Sequence, residues 1–355
     1  MINRECGNFK RTYNSDMALF PLPITKIAMA VVALFFFVVF PAIANDYFFG
    51  RANFILIFVV AALGLNILAG YTGQVSIGHA AFMSVGAYTG AIIVTRAHLP
   101  FWIAVPAGGA MAAIIGTFFG IPSLRIKGFY LVIVTLAAQF IIEWVINHVT
   151  WISGGVQASI YVPDPAFGSW VLDSKMEVYY LMLIIATIAI IFTLNLFRSP
   201  VGRAFTAIRD HDISAEIIGI PIFRYKLIAF ATSSFYAGVA GVLYTFYMGI
   251  ANYEQFLLGT SIEILASVII GGLGSVLGTI FGVIFIQTLP IWLRVIFEGV
   301  GGIFWDVSAI RHLLAEIQEI MYGMFIIFFL VVEPEGLKRL WSNILNYFRV
   351  WPFSY

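Results

Sequence analysis

"GYTGQVSIGHAAFMSVGAYTG", residues 70–90, lies inside an otherwise strongly apolar chain, and its reading sets the fold. It carries Gly70, Gly73, Gly78, Gly86 and Gly90, with Gln74, Ser76 and His79 between them. A span meant only to anchor a protein in lipid would be leucine and valine. Gly70, Gly73 and Gly78 do not form one i, i+4 ridge, so close helix packing does not account for them. Irregular backbone at membrane depth is tolerated only where protein buries it or water reaches it. The stretch therefore reads as a broken helix lining a substrate path.

The bulk composition supports a membrane setting. Of 355 residues, 61% are hydrophobic and 10% charged, against roughly 45–50% and about 25% in soluble domains. Mean hydropathy is +0.97. The net charge of +1 argues against a nucleic-acid partner, which needs a basic stripe. One cysteine, Cys6, excludes an internal disulfide framework. The first apolar run follows a polar tail that is too long and weakly patterned for a cleaved leader, so the first span is read as retained.

Apolar runs about 20 residues long are candidate crossings. They fall at 24–44, 53–70, 75–95, 101–121, 128–148, 178–198, 226–248, 260–273, 275–297 and 312–332. The expectation is an all-α polytopic protein of about ten transmembrane helices, with 75–95 and 260–280 irregular. Residues 1–23 and 333–355 would be cytoplasmic tails flanking a transmembrane domain over 24–332. With the N-terminus inside, the 19 lysines and arginines divide 14 inside to 5 outside. That bias favours an even span count with both termini inside. The outer loop 149–177 would carry three acids and one lysine.

The inner loop, 199–225, holds "SPVGRAFTAIRDHDISAEIIGIPIF". Ser199 suits a helix cap, and Pro200 suits the first helical position. Val201, Phe205 and Ile208 recur at i, i+4 and i+7, one face of a helix. Asp212 can cap a second short helix, Gly219 can stop it in the left-handed conformation, and Pro221 forbids its continuation. Seven charged residues gather between Arg203 and Lys226 in a chain with few. Two short helices at the membrane surface, carrying Arg203, Arg209, Asp210, His211, Asp212, Ala215 and Glu216, suit either an interfacial loop or a docking element for a soluble partner.

A second break reads "IIGGLGSVLG", residues 269–278. Aligned with "LAGYTGQVSIG", it sets Gly70 with Gly271, Gly73 with Gly274 and Gly78 with Gly278. Paired glycine-interrupted spans mark transporter sites built from repeats. Spacings such as Gly86/Gly90, Gly116/Gly120 and Gly274/Gly278/Gly282 read first as helix packing. Glu263, within an apolar run near this break, is an intramembrane acid and a functional candidate. The predicted path residues are Gly70, Gly73, Gln74, Ser76, Gly78, His79, Glu263, Gly271 and Gly274. His79 alone reads more simply as a helix–helix hydrogen-bonding group.

No lysine follows a glycine, so the chain has no phosphate-binding G-K-[ST] loop. No H-E-x-x-H motif or G-x-S-x-G elbow occurs, so neither a catalytic role nor a metal is expected. Ser76 and His79 are one helical turn apart without a carboxylate, which leaves an intramembrane hydrolase as a weak alternative.

"GYTGQVSIGHAAFMSVGAYTGA" resembles the glycine-rich segment of branched-chain amino acid ABC importer permeases. "GRAFTAIRDHDISAEIIGIPIFRYKLIAF" resembles their cytoplasmic coupling loop, and "LRIKGFYLVIVTLA" with the later "SGG" resembles the longer, M-type permease of that system. The glycine expected soon after Gly154–Gly155 is missing from "VQASI". The resemblance implies a subunit of the bacterial inner membrane that pairs with a second permease. Two ATPases would bind ATP in its place, so no cofactor is expected here, and a periplasmic binding protein would deliver the solute. By the same resemblance, Arg203, Arg209, Asp210, Ala215, Glu216 and Gly219 belong to ATPase coupling. A permease for urea or short amides, or a stand-alone ion-coupled transporter, is the alternative.

Overall fold

The computed structural model describes residue 12 and residues 23–123, 130–155, 159–167, 170–301, 307–333 and 335–350. Helix α1 (Pro23–Leu34) runs through a π turn (Phe35–Val39) into α2 (Phe40–Ile43). Helix α3 (Asp46–Leu65) ends in a second π turn (Asn66–Tyr71). An irregular stretch leads to α4 (His79–Thr95), then α5 (Phe101–Ser123), α6 (Tyr130–His148) and the single turn α7 (Thr150–Ser153). Helix α8 (Lys175–Arg198) precedes the short helices α9 (Pro200–Asp210) and α10 (Asp212–Ile217). Then come α11 (Ile222–Met248), a 3-10 turn (Tyr253–Phe256), α12 (Leu258–Gly271), α13 (Val276–Gly301), α14 (Val307–Val332) and α15 (Leu337–Val350).

Eight of the described helices are long and apolar enough to cross a membrane. They match eight of the ten runs seen in the sequence. The run at 75–95 becomes a 17-residue helix preceded by irregular chain, and the last forms a bent pair, Ile320–Val332 with Leu337–Ile344 at 53°. Two spots of strand also appear. Ile160–Tyr161 pairs antiparallel with Ile250–Ala251, and Ala166–Phe167 with Trp170–Val171. Two-residue strands carry no periodicity that a sequence pattern can reveal.

Helices α3 and α11 are the most buried spans, and α11 packs against α3, α4 and α5. Small residues permit these close crossings. A Cβ on Gly86 would strike the backbone of Gly238, and one on Gly241 the carbonyl of Met83. Gly116 sits against Ser234 in the same way. Helices α12, α13 and α14 pack on one another around Ala266, Ile270, Ile286, Leu289 and Tyr322.

The periphery is tied by polar side chains that donate to backbone carbonyls of neighbouring helices. Tyr179 and Tyr180 donate to Phe36 O and Phe37 O at 2.9 and 3.1 Å, beside the π turn in the first span. In lipid, a carbonyl released from the helical ladder needs such a donor. Across the bundle, Arg96 donates to Trp151 O and to Ile152 O and lies 5.7 Å from the Trp151 ring. Helix α8 starts at Lys175, three residues earlier than its apolar pattern indicates. Ser174 and Glu177 form a reciprocal capping box there.

Candidate functional site

The inner loop folds as its pattern dictates. Ser199 Oγ accepts from Gly202 N at 3.3 Å, and Pro200 fills the first helical position of α9. Phe205 and Ile208 are fully buried in the core, with Val201 packed beside them. One detail differs from expectation. His211, in extended conformation, is the single residue between α9 and α10 and occupies the cap position of both. Asp212 therefore sits in the first turn of α10, where its Oδ1 accepts from Ile213 N at 2.9 Å. Helix α10 closes as expected. Gly219 has φ +89°, and Ile220 N and Gly219 N bond back to Ala215 O and Glu216 O.

Two faces of this loop serve different ends. Ala215 is buried, whereas Ile213, Ile217 and Ile218 are 57%, 80% and 73% exposed. Arg203, Asp210, His211, Glu216 and Gly219 are also exposed around them, and Asp212 is half-buried. Just before the loop, at the end of α8, Phe197 stacks on Tyr71 of the π turn with ring centroids 3.3 Å apart, fixing where the loop leaves the bundle. Arg209 supplies a second anchor. Its Nη1 donates to Gly70 O at 2.9 Å, while its Nε and Nη2 are held by Asp210 Oδ1 at 3.1 and 3.0 Å.

Gly70 is where the two breaks meet. Asn66 Oδ1 accepts from Gly274 N at 2.9 Å, and Asn66 Nδ2 donates to Ser275 O at 3.3 Å. One side chain of the first break thereby satisfies the second. A Cβ on Gly70 would collide with Asn66 Oδ1 and Gly274 N. Gly274 has φ +76°, and a Cβ there would stand 3.0 Å from Arg209 Nη1 and 3.2 Å from Gly70 O. Gly73, at φ +69°, faces the Arg209 stem. The alignment matched Gly70 to Gly271 by position in the repeat; in space, Gly70 touches Gly274. Gly271 instead lies against Gly278 and Gly282, where α12 crosses α13. Gly274 accordingly belongs to the junction, while Gly278 and Gly282 keep their packing role.

The stretch between Tyr71 and His79 turns back from this junction into the bundle. Thr72 Oγ1 donates to Leu68 O at 2.6 Å, and Gln74 Nε2 to Thr72 Oγ1 at 2.8 Å. Gly73 and Val75 are exposed, whereas Gln74, Ser76 and Gly78 are buried. Gln74 Oε1 and Ser76 Oγ have no hydrogen-bond partner among the described residues. Gly78 lies against the carbonyl of Thr135, whose Oγ1 accepts from Ile77 N at 3.2 Å.

Helix α4 begins inside the protein, and its free N–H groups are capped by side chains from other helices. Ala80 N bonds Ser261 Oγ, and Ala81 N bonds Gln139 Oε1, both at 2.9 Å. Gln139 Nε2 in turn donates to Phe256 O at 2.8 Å. His79 is buried, with Nε2 2.9 Å from Ala61 O. Its ring is a tie between helices and makes no hydrogen bond to Ser76, so the residues offered for a hydrolase are not joined.

Glu263 stands apart from the junction. Its Oε1 accepts from Gln287 Nε2 at 2.9 Å, and Tyr322 also bonds its side chain. Gln318 Nε2 donates to Tyr322 OH, extending this polar tie across α12, α13 and α14. Among the described residues, no group of three or more His, Cys, Asp or Glu is arranged to hold a metal. Asn66, Tyr71, Gln139, Ser261, Gln287 and Tyr322 were not singled out from sequence. Asn66 and Gln139 did carry a signal, since each is an amide inside an otherwise apolar run.

The family described as branched-chain amino acid transport system / permease component matches residues 47–330. The chain belongs to this family. The permease is 32% identical over 256 residues to the high-affinity branched-chain amino acid transport system permease protein LivM of Escherichia coli K12. That similarity covers 66% of this chain and 60% of the relative. It is likewise 32% identical over 247 residues to LivM of Salmonella typhimurium, covering 63% and 58%. To LivH of the same Salmonella it is 23% identical over 245 residues, covering 63% of this chain and 78% of LivH. The permease thus spans about three fifths of the two LivM relatives' length. No solved structure matches it.

Proposed function

We propose that this permease is a transmembrane subunit of an ATP-driven ABC importer for branched-chain amino acids in the bacterial inner membrane. A second, homologous permease completes the translocation path, two ATPase subunits dock on the inner face of the pair, with α9–α10 as this permease's docking element, and a periplasmic binding protein delivers the solute. The observation that carries the reading is the build of α10. It exposes three isoleucines within a charged rim, while α9 is anchored in the core and gripped to both helix breaks by Arg209. An exposed apolar patch rimmed by polar residues fits a protein partner, and a rigid anchor fits transmission of that partner's movement.

In this mechanism, ATP-driven closure of the ATPases displaces α9–α10. The displacement reaches Gly70 and Gly274 through the Arg209 guanidinium, and the breaks are where spans can pivot with least disruption of helical bonds. The exposed Gly73 and Val75, with the buried Gln74 and Ser76 oxygens between and beside them that lack a partner among the described residues, are the groups assigned to the path. Glu263 holds α12 to α13 and α14 and carries no coupling ion. Reconstitution with and without the ATPase subunits tests this reading. Uptake that needs ATP and the ATPases supports it, and uptake by the permeases alone on an ion gradient defeats it.

A further inference from the structure

Helix α15 follows α14 after the 53° bend. The 26 residues of α14 span about 39 Å, more than the roughly 30 Å hydrocarbon core. The 14 residues of α15 span only about 21 Å, too short for a further crossing. A crossing completed by α14 leaves α15 at the membrane surface.

Its sequence, LKRLWSNILNYFRV, is amphipathic. Leu337, Leu340, Trp341 and Ile344 share one face, and Lys338, Arg339, Ser342 and Asn343 the other. The bundle covers only part of the apolar face. Leu337 packs on the α12–α14 cluster, and the Trp341 ring lies 5.5 Å from Phe281. Leu340, Trp341 and Ile344 remain exposed. The helix contains Lys338, Arg339 and Arg349 and no acid. Arg339 is paired with Glu333 at 3.1 Å, whereas Lys338 is exposed without an ion pair among the described residues.

We infer that α15 lies in the membrane interface, where its apolar edge enters the acyl chains and the exposed Lys338 meets the phosphates of acidic phospholipids. A helix with an uncovered apolar edge and a polar face whose only charges are basic matches an anionic bilayer surface. It does not match water, which would leave the leucine–isoleucine edge unburied. The foot of α15 rests on the second break. Gly336, at φ +63°, abuts Ile270 O and Gly272 N, and Gly272 abuts Glu335 O. The foot of α15 thus lies against the chain two residues before Gly274. The inference rests on the membrane setting alone and is independent of the solute.

Hydrogen exchange of the 337–350 segment, in nanodiscs of phosphatidylcholine or of an equal mixture with phosphatidylglycerol, tests it. The wild-type segment is expected to exchange more slowly in the acidic lipid. Each cation removed should cost about fivefold of that protection, so Lys338→Gln/Arg349→Gln should abolish most of the lipid difference. Leu340→Ser/Ile344→Ser should speed exchange in both lipids. Equal exchange in both compositions, a lipid difference that survives the charge variant, or no response to the apolar variant would each overturn the inference.

Discussion

Arg209 Nη1 donates to the carbonyl of Gly70 at 2.9 Å, joining the end of α9 to the point where the two helix breaks touch. The bond links residues 139 positions apart. A charged donor to a carbonyl contributes roughly 1.5–3 kcal/mol when buried. The Arg209 side chain is 38% exposed, so screening reduces this to about 1 kcal/mol. Its value is then positional. Arg209→Met should lower ATP-driven uptake about tenfold while the assembled complex still forms, as read by transport assays beside size-exclusion profiles. Uptake at the wild-type rate would show that the bond transmits nothing.

Two glycine substitutions separate close approach from backbone conformation. Gly70→Ala drives a methyl group into Asn66 Oδ1 and Gly274 N, and should destabilise the permease by about 3 kcal/mol. Gly219→Ala meets open space and pays only for φ +89°, about 1–2 kcal/mol. Thermal unfolding in detergent should therefore rank Gly70→Ala well below Gly219→Ala. The reverse order would contradict the junction.

Ile217 is 80% exposed on α10 and contributes little to the permease's own packing. Ile217→Asp should leave the unfolding temperature unchanged. It should weaken ATPase-subunit binding at least tenfold, the cost of truncating an interface anchor. Titration of the purified ATPase against permease in nanodiscs measures this directly. Undiminished affinity would place the docking surface elsewhere.

Glu263 separates the ATP-driven reading from the ion-coupled one. Gln at this position can still accept from Gln287 and Tyr322, so Glu263→Gln should retain uptake within about twofold. Glu263→Leu leaves both partners unsatisfied and should cost about 1 kcal/mol of stability. Loss of uptake in the Gln variant with folding intact would favour a titrating carboxylate and an ion gradient.

Much of this was legible in the residues. Ser199, Pro200, Gly219 and Pro221 are local signals, because caps and left-handed stops depend on a residue and its near neighbours, and they placed α9 and α10 closely. The breaks were legible too, since glycine and polar residues have few other uses inside a lipid span. Their mutual contact was not. The Asn66 and Arg209 bonds join segments more than a hundred residues apart, and an alignment of glycines by repeat cannot say which of them touch. Ser261 and Gln139 cap α4 from other helices, so no N-terminal motif precedes His79 in its own chain segment. The two-residue strands near Ile160 and Ile250 are too short to leave any pattern.

The most direct measurement is leucine uptake by proteoliposomes holding this permease with the proposed second permease, ATPases and binding protein, with ATP added or withheld. Uptake that appears only with ATP and ATPases, and falls in Arg209→Met while ATP hydrolysis continues, is the predicted result. Uptake sustained by an ion gradient with no ATPase present would contradict the account.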